Sequence, residues 1–164
     1  MLSDEVGDFT TSDAMFVCLT WKSLFGIENK SISSCIKKFS KLSREEMEAL
    51  SETVDLKYLL AIMNSRYASV LLTNLCGDDY HIYSEHIRNI PIPTATAKQQ
   101  QPIIDLVEQI LSEKKQNPQT DTSMLEHQID LLVYHLYGLT FEEAQIIDSN
   151  LTKEEFEKSK QNFL

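Results

Sequence analysis

The residues of this 164-residue chain that could do chemistry are four histidines, three cysteines and one lysine-rich stretch. His127 and His135 lie eight apart in a run with helical periodicity. That places them on a similar face but roughly 12 Å apart along the axis, at 1.5 Å per residue, which is too far for one metal ion. His81 and His86, in His81-Ile82-Tyr83-Ser84-Glu85-His86, lack the i, i+4 spacing that puts two imidazoles of a zinc-protease helix on one ion. No metal site is expected. A serine nucleophile would need a Gly-x-Ser-x-Gly elbow, and nucleotide chemistry a P-loop or a Gly-x-Gly-x-x-Gly turn; the chain has four isolated glycines and none of these. Cys18, Cys35 and Cys76 are odd in number and contain no Cys-x-x-Cys pair, the pattern of free thiols in a reducing cytoplasm. No catalytic residue is nominated.

Charge is the remaining signal. The net charge of −10 opposes nucleic-acid binding, which depends on neutralising phosphates. The charge is unevenly spread, however. Residues 21–44 hold Lys22, Lys30, Lys37, Lys38, Lys41 and Arg44 against the single acid Glu28, whereas residues 95–164 hold six basic and twelve acidic residues. The lysines, with the hydroxyls of Ser31, Ser33 and Ser34, suit phosphate contact. A solvated basic loop is the competing reading. Tyr80, His81 and Tyr83 suit contact with a nucleic-acid backbone or base; packing of a strand is the competing reading there.

These residues need elements to position them. Hydrophobic residues make up 42% of the chain, enough for a core at a length that suits one domain. No apolar run reaches the roughly 18 residues of a membrane helix, and the acidic start MLSDEVGDF is unlike a targeting signal. A cytoplasmic protein without a membrane partner is expected. Ala14 to Trp21 reads as a buried strand, with a short helix as the alternative. Ser43 and Glu46 form a capping box for a helix to about Val54. The stretch Asp55 to Pro93 is the packed centre: an apolar helical run from Tyr58 to Met63, a second from Tyr67 to Leu75 capped at Asn64-Ser65, then an alternating strand-like piece, Tyr80 to Tyr83. A turn at Ser84–Arg88 and the extended Ile90-Pro91-Ile92-Pro93 close it. Helices are predicted over about 97–115, from a Thr94 or Thr96 cap, and over about 123–137, stopped by Gly138. Their short loop predicts an antiparallel hairpin. Capping boxes at Thr140/Glu143 and Thr152/Glu155 predict two more helices. The fold class expected is α+β, mostly helical, with short strands near the N-terminus and centre followed by a C-terminal helical hairpin.

The ordered series "YLLAIMNS", "HIY", "NIPIP", "QQQPIIDLVEQIL" and "LEHQIDLLVYHLYGLTFEEAQII", from about Phe16 to Ile147, resembles a specificity domain. It is similar to the C-terminal part of the target-recognition domain of TaqI-type adenine-specific DNA methyltransferases and type IIG restriction-modification enzymes. The specificity subunits of type I systems have a similar segment. The resemblance implies a sequence-recognition module for an N6-adenine methyltransferase, with residues 1–95 as recognition domain and 96–164 as a helical extension that packs on it or on a catalytic domain. It implies double-stranded DNA and a methyltransferase catalytic domain as partners. Candidate DNA contacts are then Lys22, Lys30, Ser31, Lys37, Lys38, Lys41, His81 and Tyr83. No cofactor is expected in this chain; S-adenosylmethionine is implied only for the parent enzyme. The family's Asn-Pro-Pro-Tyr motif is absent, and Asn117-Pro118-Gln119-Thr120 shares only its first two letters. An isolated chain is expected to bind DNA weakly, since half of the recognition fold would precede Met1. A non-catalytic protein-docking module is the rival reading.

Overall fold

Asn29 sets the first helix. Its side-chain oxygen accepts from the Ile32 backbone N–H at 2.9 Å, and no glycine or proline interrupts the following residues. The result is α1, Lys30–Phe39. In the computed structural model of the protein, residues 22–39, 41–77 and 82–163 are described. The chain divides between Val54 and Asp55 into two compact units.

In the first unit a 3-10 turn, Lys22–Leu24, and α1 are followed by α2, Arg44–Glu52. The capping box is present as predicted: Ser43 Oγ accepts from the Glu46 N–H and the Glu46 carboxylate accepts from the Ser43 N–H. Arg44 ties the turn to α2. Its guanidinium donates to the Leu24 carbonyl at 2.7 Å and the Ile27 carbonyl at 2.8 Å, and pairs with Glu48 at 2.8 Å.

The second unit begins with α3, Leu56–Asn64, and α4, Arg66–Cys76. The Asp55 carboxylate caps α3 through the Lys57 N–H at 2.6 Å, and buried Ser65 caps α4 through the Ala68 N–H at 3.2 Å. One turn, α5 (Ser84–Arg88), leads to the extended proline segment. Then come α6 (Ala97–Gln116), α7 (Ser123–Leu136), α8 (Phe141–Ile147) and α9 (Lys153–Phe163). Thr96, rather than Thr94, caps α6. Gly138 follows α7 at φ +68°, a left-handed conformation that lacks a Cβ penalty only for glycine. The α6–α7 hairpin forms as predicted, and α3 packs on α6. Tyr58, Ala61 and Ile62 of α3 and Ile103 and Val107 of α6 are buried in this layer. A neighbouring cluster joins Leu131, Tyr134, Ala144, Leu151 and Phe156, so α7, α8 and α9 share a core. At roughly 1.5–3 kcal/mol for each large apolar side chain buried, these clusters, rather than helix propensity, stabilise helices this short. Helices α3 to α5, before residue 95, and α6 to α9, after it, belong to one unit.

The prolines are gripped from both sides. Tyr58 Oη donates to the Pro93 carbonyl at 2.9 Å and Tyr137 Oη to the Pro91 carbonyl at 2.6 Å. Proline supplies no backbone donor, so at Pro91 and Pro93 the carbonyl is the one backbone group available for attachment.

The expected α+β class is corrected: the described residues are helical and contain no strand. The strand expected at Ala14–Trp21 lies outside the described residues. In the central piece, Tyr80 and His81 also lie outside them, and Ile82 and Tyr83 are irregular backbone. Among the described residues no second strand is present to pair with it, and an unpaired strand has no ladder to stabilise it. The lysine-rich stretch from Lys30 is a helix for its first ten residues, not a loop.

Candidate functional site

Four of the eight predicted DNA contacts, Lys30, Ser31, Lys37 and Lys38, fall on α1. Lys30, Ser33, Ser34 and Lys37 follow an i, i+3, i+4, i+7 stripe, so they share one face about 10 Å long. Together with Glu28 and Asn29 they line an open, shallow depression. Ser33, Ser34 and Lys37 are exposed, while Ile32 and Ile36 on another face are half-buried. The first turn of α1 carries no acidic residue, so its backbone N–H groups retain the positive character of a helix start. Ser31 is exposed but belongs to a different face of α1; Lys41 is exposed just beyond the helix. Lys22 lies in the 3-10 turn and Lys38 in the last turn of α1. Arg44 is not available to this face, since its guanidinium is engaged by Leu24, Ile27 and Glu48.

Two candidates remain, His81 and Tyr83. His81 lies outside the described residues. Tyr83 belongs to the second unit, 54% exposed, with its ring edge-on to His86 at 5.5 Å. His86 meets a residue that spacing did not suggest. Its Nδ1 lies 3.1 Å from Cys76 Sγ and accepts the Tyr83 N–H at 3.3 Å. With Nδ1 an acceptor, the proton of the neutral ring sits on Nε2. Cys76 is a free, half-buried thiol.

A charged cluster in the second unit was not read from the sequence at all. Asp130 and Asp148 are buried, 6% and 4% exposed. One guanidinium serves both: Arg66 Nε lies 3.3 Å from Asp130 and Nη1 2.8 Å from Asp148. The Arg66 backbone N–H adds a 2.8 Å bond to Asp130, and Asn150 N–H donates to Asp148 at 3.2 Å. His127 Nδ1 stands 3.9 Å from Asp148. Burial pushes the Asp130 carboxyl above its ordinary range, outweighing the Arg66 N–H and charge that pull it down. Tyr134 Oη is buried beside these acids without a hydrogen-bond partner. His135, two turns along α7 from His127, is spent elsewhere: its Nε2 donates to the Phe156 carbonyl at 3.0 Å and lies 2.8 Å from Ser159 Oγ.

Among the described residues, no three His, Cys, Asp or Glu side chains are grouped to hold a metal ion, and no helix is long and apolar enough to cross a membrane. No family model matches the chain, no curated protein matches it, and neither does any solved structure.

Proposed function

We propose that this chain is a non-catalytic DNA-contacting module, the recognition part of an N6-adenine methyltransferase of the restriction-modification type. The observation that carries the reading is the α1 face, where Lys30 and Lys37 flank Ser33 and Ser34 on one stripe. Duplex DNA carries one charge per roughly 1.7 Å of axis, so a face about 10 Å long spans several phosphates. Lysine and serine supply point donors of the kind that fix register on a backbone without reading bases. Base-edge readout would then come from residues beyond this stripe. The transfer chemistry and its S-adenosylmethionine would belong to a cytoplasmic catalytic domain docked on this module. Fluorescence anisotropy with random duplex DNA across a salt series tests the reading. A steep fall of affinity with salt supports it, and absence of binding at low salt refutes it.

A second reading, a protein-docking module, is favoured by one observation. In the same unit Phe25, Ile27, Leu42 and Leu50 are 77%, 48%, 41% and 50% exposed. Large apolar side chains left in water in so small a unit suit a protein partner. Binding of an isolated methyltransferase catalytic domain without DNA would favour this reading over the first.

A further inference from the structure

Helices α3, α6 and α7 and the start of α4, all in the second unit, leave a groove of about 470 Å³ between them. Its floor is apolar, with Leu60 from α3 and Val107, Ile110 and Leu111 from α6. Its wall is a polar stripe of α7 in which Glu126 and Asp130 are one turn apart. Arg66 and His127 are the basic residues of the lining, and the Arg66 Nε and Nη1 are committed to Asp130 and to Asp148, which is not itself in the lining. One guanidinium therefore faces two buried carboxylates, and Glu126 adds a third negative charge at the rim. Groove size, apolar floor and a few convergent polar groups are the features of a small-molecule site.

We propose that this groove binds a small aliphatic amine, its hydrocarbon stem on Leu60, Val107, Ile110 and Leu111 and its ammonium between Glu126 and Asp130. The excess negative charge selects the cation and repels a carboxylate of the same length. A cation beside Asp130 also offsets the cost of holding that carboxylate out of water.

The test is NMR titration of the full chain with n-hexylammonium, n-hexanol and n-hexanoate, following the amides of α3, α6 and α7. The site predicts millimolar binding of hexylammonium (a Kd of about 1 mM corresponds to −4.1 kcal/mol), at least about tenfold tighter than hexanol, and no saturable shifts with hexanoate. Glu126→Gln should weaken hexylammonium by about fivefold while leaving hexanol unchanged. Ile110→Trp should block both. Hexanoate binding as tightly as hexylammonium, or no localised shifts with hexylammonium in the wild-type chain, would overturn the proposal whatever the variants do.

Discussion

Arg66 meets Asp130 twice, through its backbone N–H at 2.8 Å and through Nε at 3.3 Å, and so pins the start of α4 to the middle of α7. The same side chain reaches Asp148, at the end of α8, at 2.8 Å. Three helices separated by up to 82 positions in the chain are thereby held at one guanidinium. Removing it leaves two buried carboxylates with only the His127 imidazole, 3.9 Å from Asp148, as a basic neighbour. A fully buried pair loses about 3–5 kcal/mol when one partner is removed, and Arg66 is half in water, so Arg66→Met should cost about 2 kcal/mol in urea unfolding. Arg66→Lys should recover only part of this, because an ammonium cannot fork to two acids. A loss within about 0.5 kcal/mol, the range of ordinary surface substitutions, would show that the cluster is not a stabilising tie.

That cluster shows what a linear reading misses. The capping boxes at Ser43, Thr140 and Thr152 were legible because cap and third residue touch within one turn, and apolar spacing marked the helices those caps start; at α6 the choice between Thr94 and Thr96 stayed open. The Gly138 stop and the α6–α7 hairpin were legible for the same local reason. Arg66, Asp130 and Asp148 are ordinary charged residues on exposed-looking positions; only the packing of α4 against α7 and α8 brings them together. Cys76 and His86 meet across a break in the helical pattern, which hid their relation. The strand expected at Tyr80–Tyr83 is not met at Ile82 and Tyr83, because alternation over so few residues fits irregular backbone as well as a strand. On α1, the lysines were legible as a basic stretch, but their sharing of one face with Ser33 and Ser34 depended on the stretch being helical.

The proline segment should depend on its tyrosines. Tyr58→Phe removes the bond to the Pro93 carbonyl in a half-buried place and should cost about 1–3 kcal/mol. Tyr137→Phe, whose bond to Pro91 lies at the surface, should cost about 0.5–1 kcal/mol because water replaces the donor. Denaturant midpoints at equal slopes measure both. Equal losses would contradict the difference in burial.

His135 makes stability depend on pH. Burial lowers its folded-state value from 6.5, with Lys160 acting in the same direction and the Phe156 carbonyl in the opposite one. The unfolded chain therefore binds a proton on this ring before the folded chain does. Its contribution is complete above 6.5 and is lost as pH falls through the lowered value. Thermal midpoints of the wild-type chain should fall between about pH 7.5 and about pH 5, and His135→Gln should flatten that slope. An unchanged slope in the variant would place the titration on other groups.

The first unit has its own tie. Arg44→Lys keeps the charge but loses the fork to the Leu24 and Ile27 carbonyls. It should cost about 1–2 kcal/mol and expose the 3-10 turn to amide exchange. Protection of residues 22–27 equal to the wild type would show that the turn is held by something else.

The central claim rests on Lys30 and Lys37, and the salt dependence of DNA affinity tests it most directly. Anisotropy of the full chain with random duplex DNA, from about 20 to about 200 mM salt, should give a linear fall of log affinity with log salt. Lys30→Gln with Lys37→Gln should reduce that slope by about 2, since each lost phosphate contact removes about 1. No binding at the lowest salt, or a slope unchanged in the double variant, would contradict the account and leave the α1 face as a solvated basic surface.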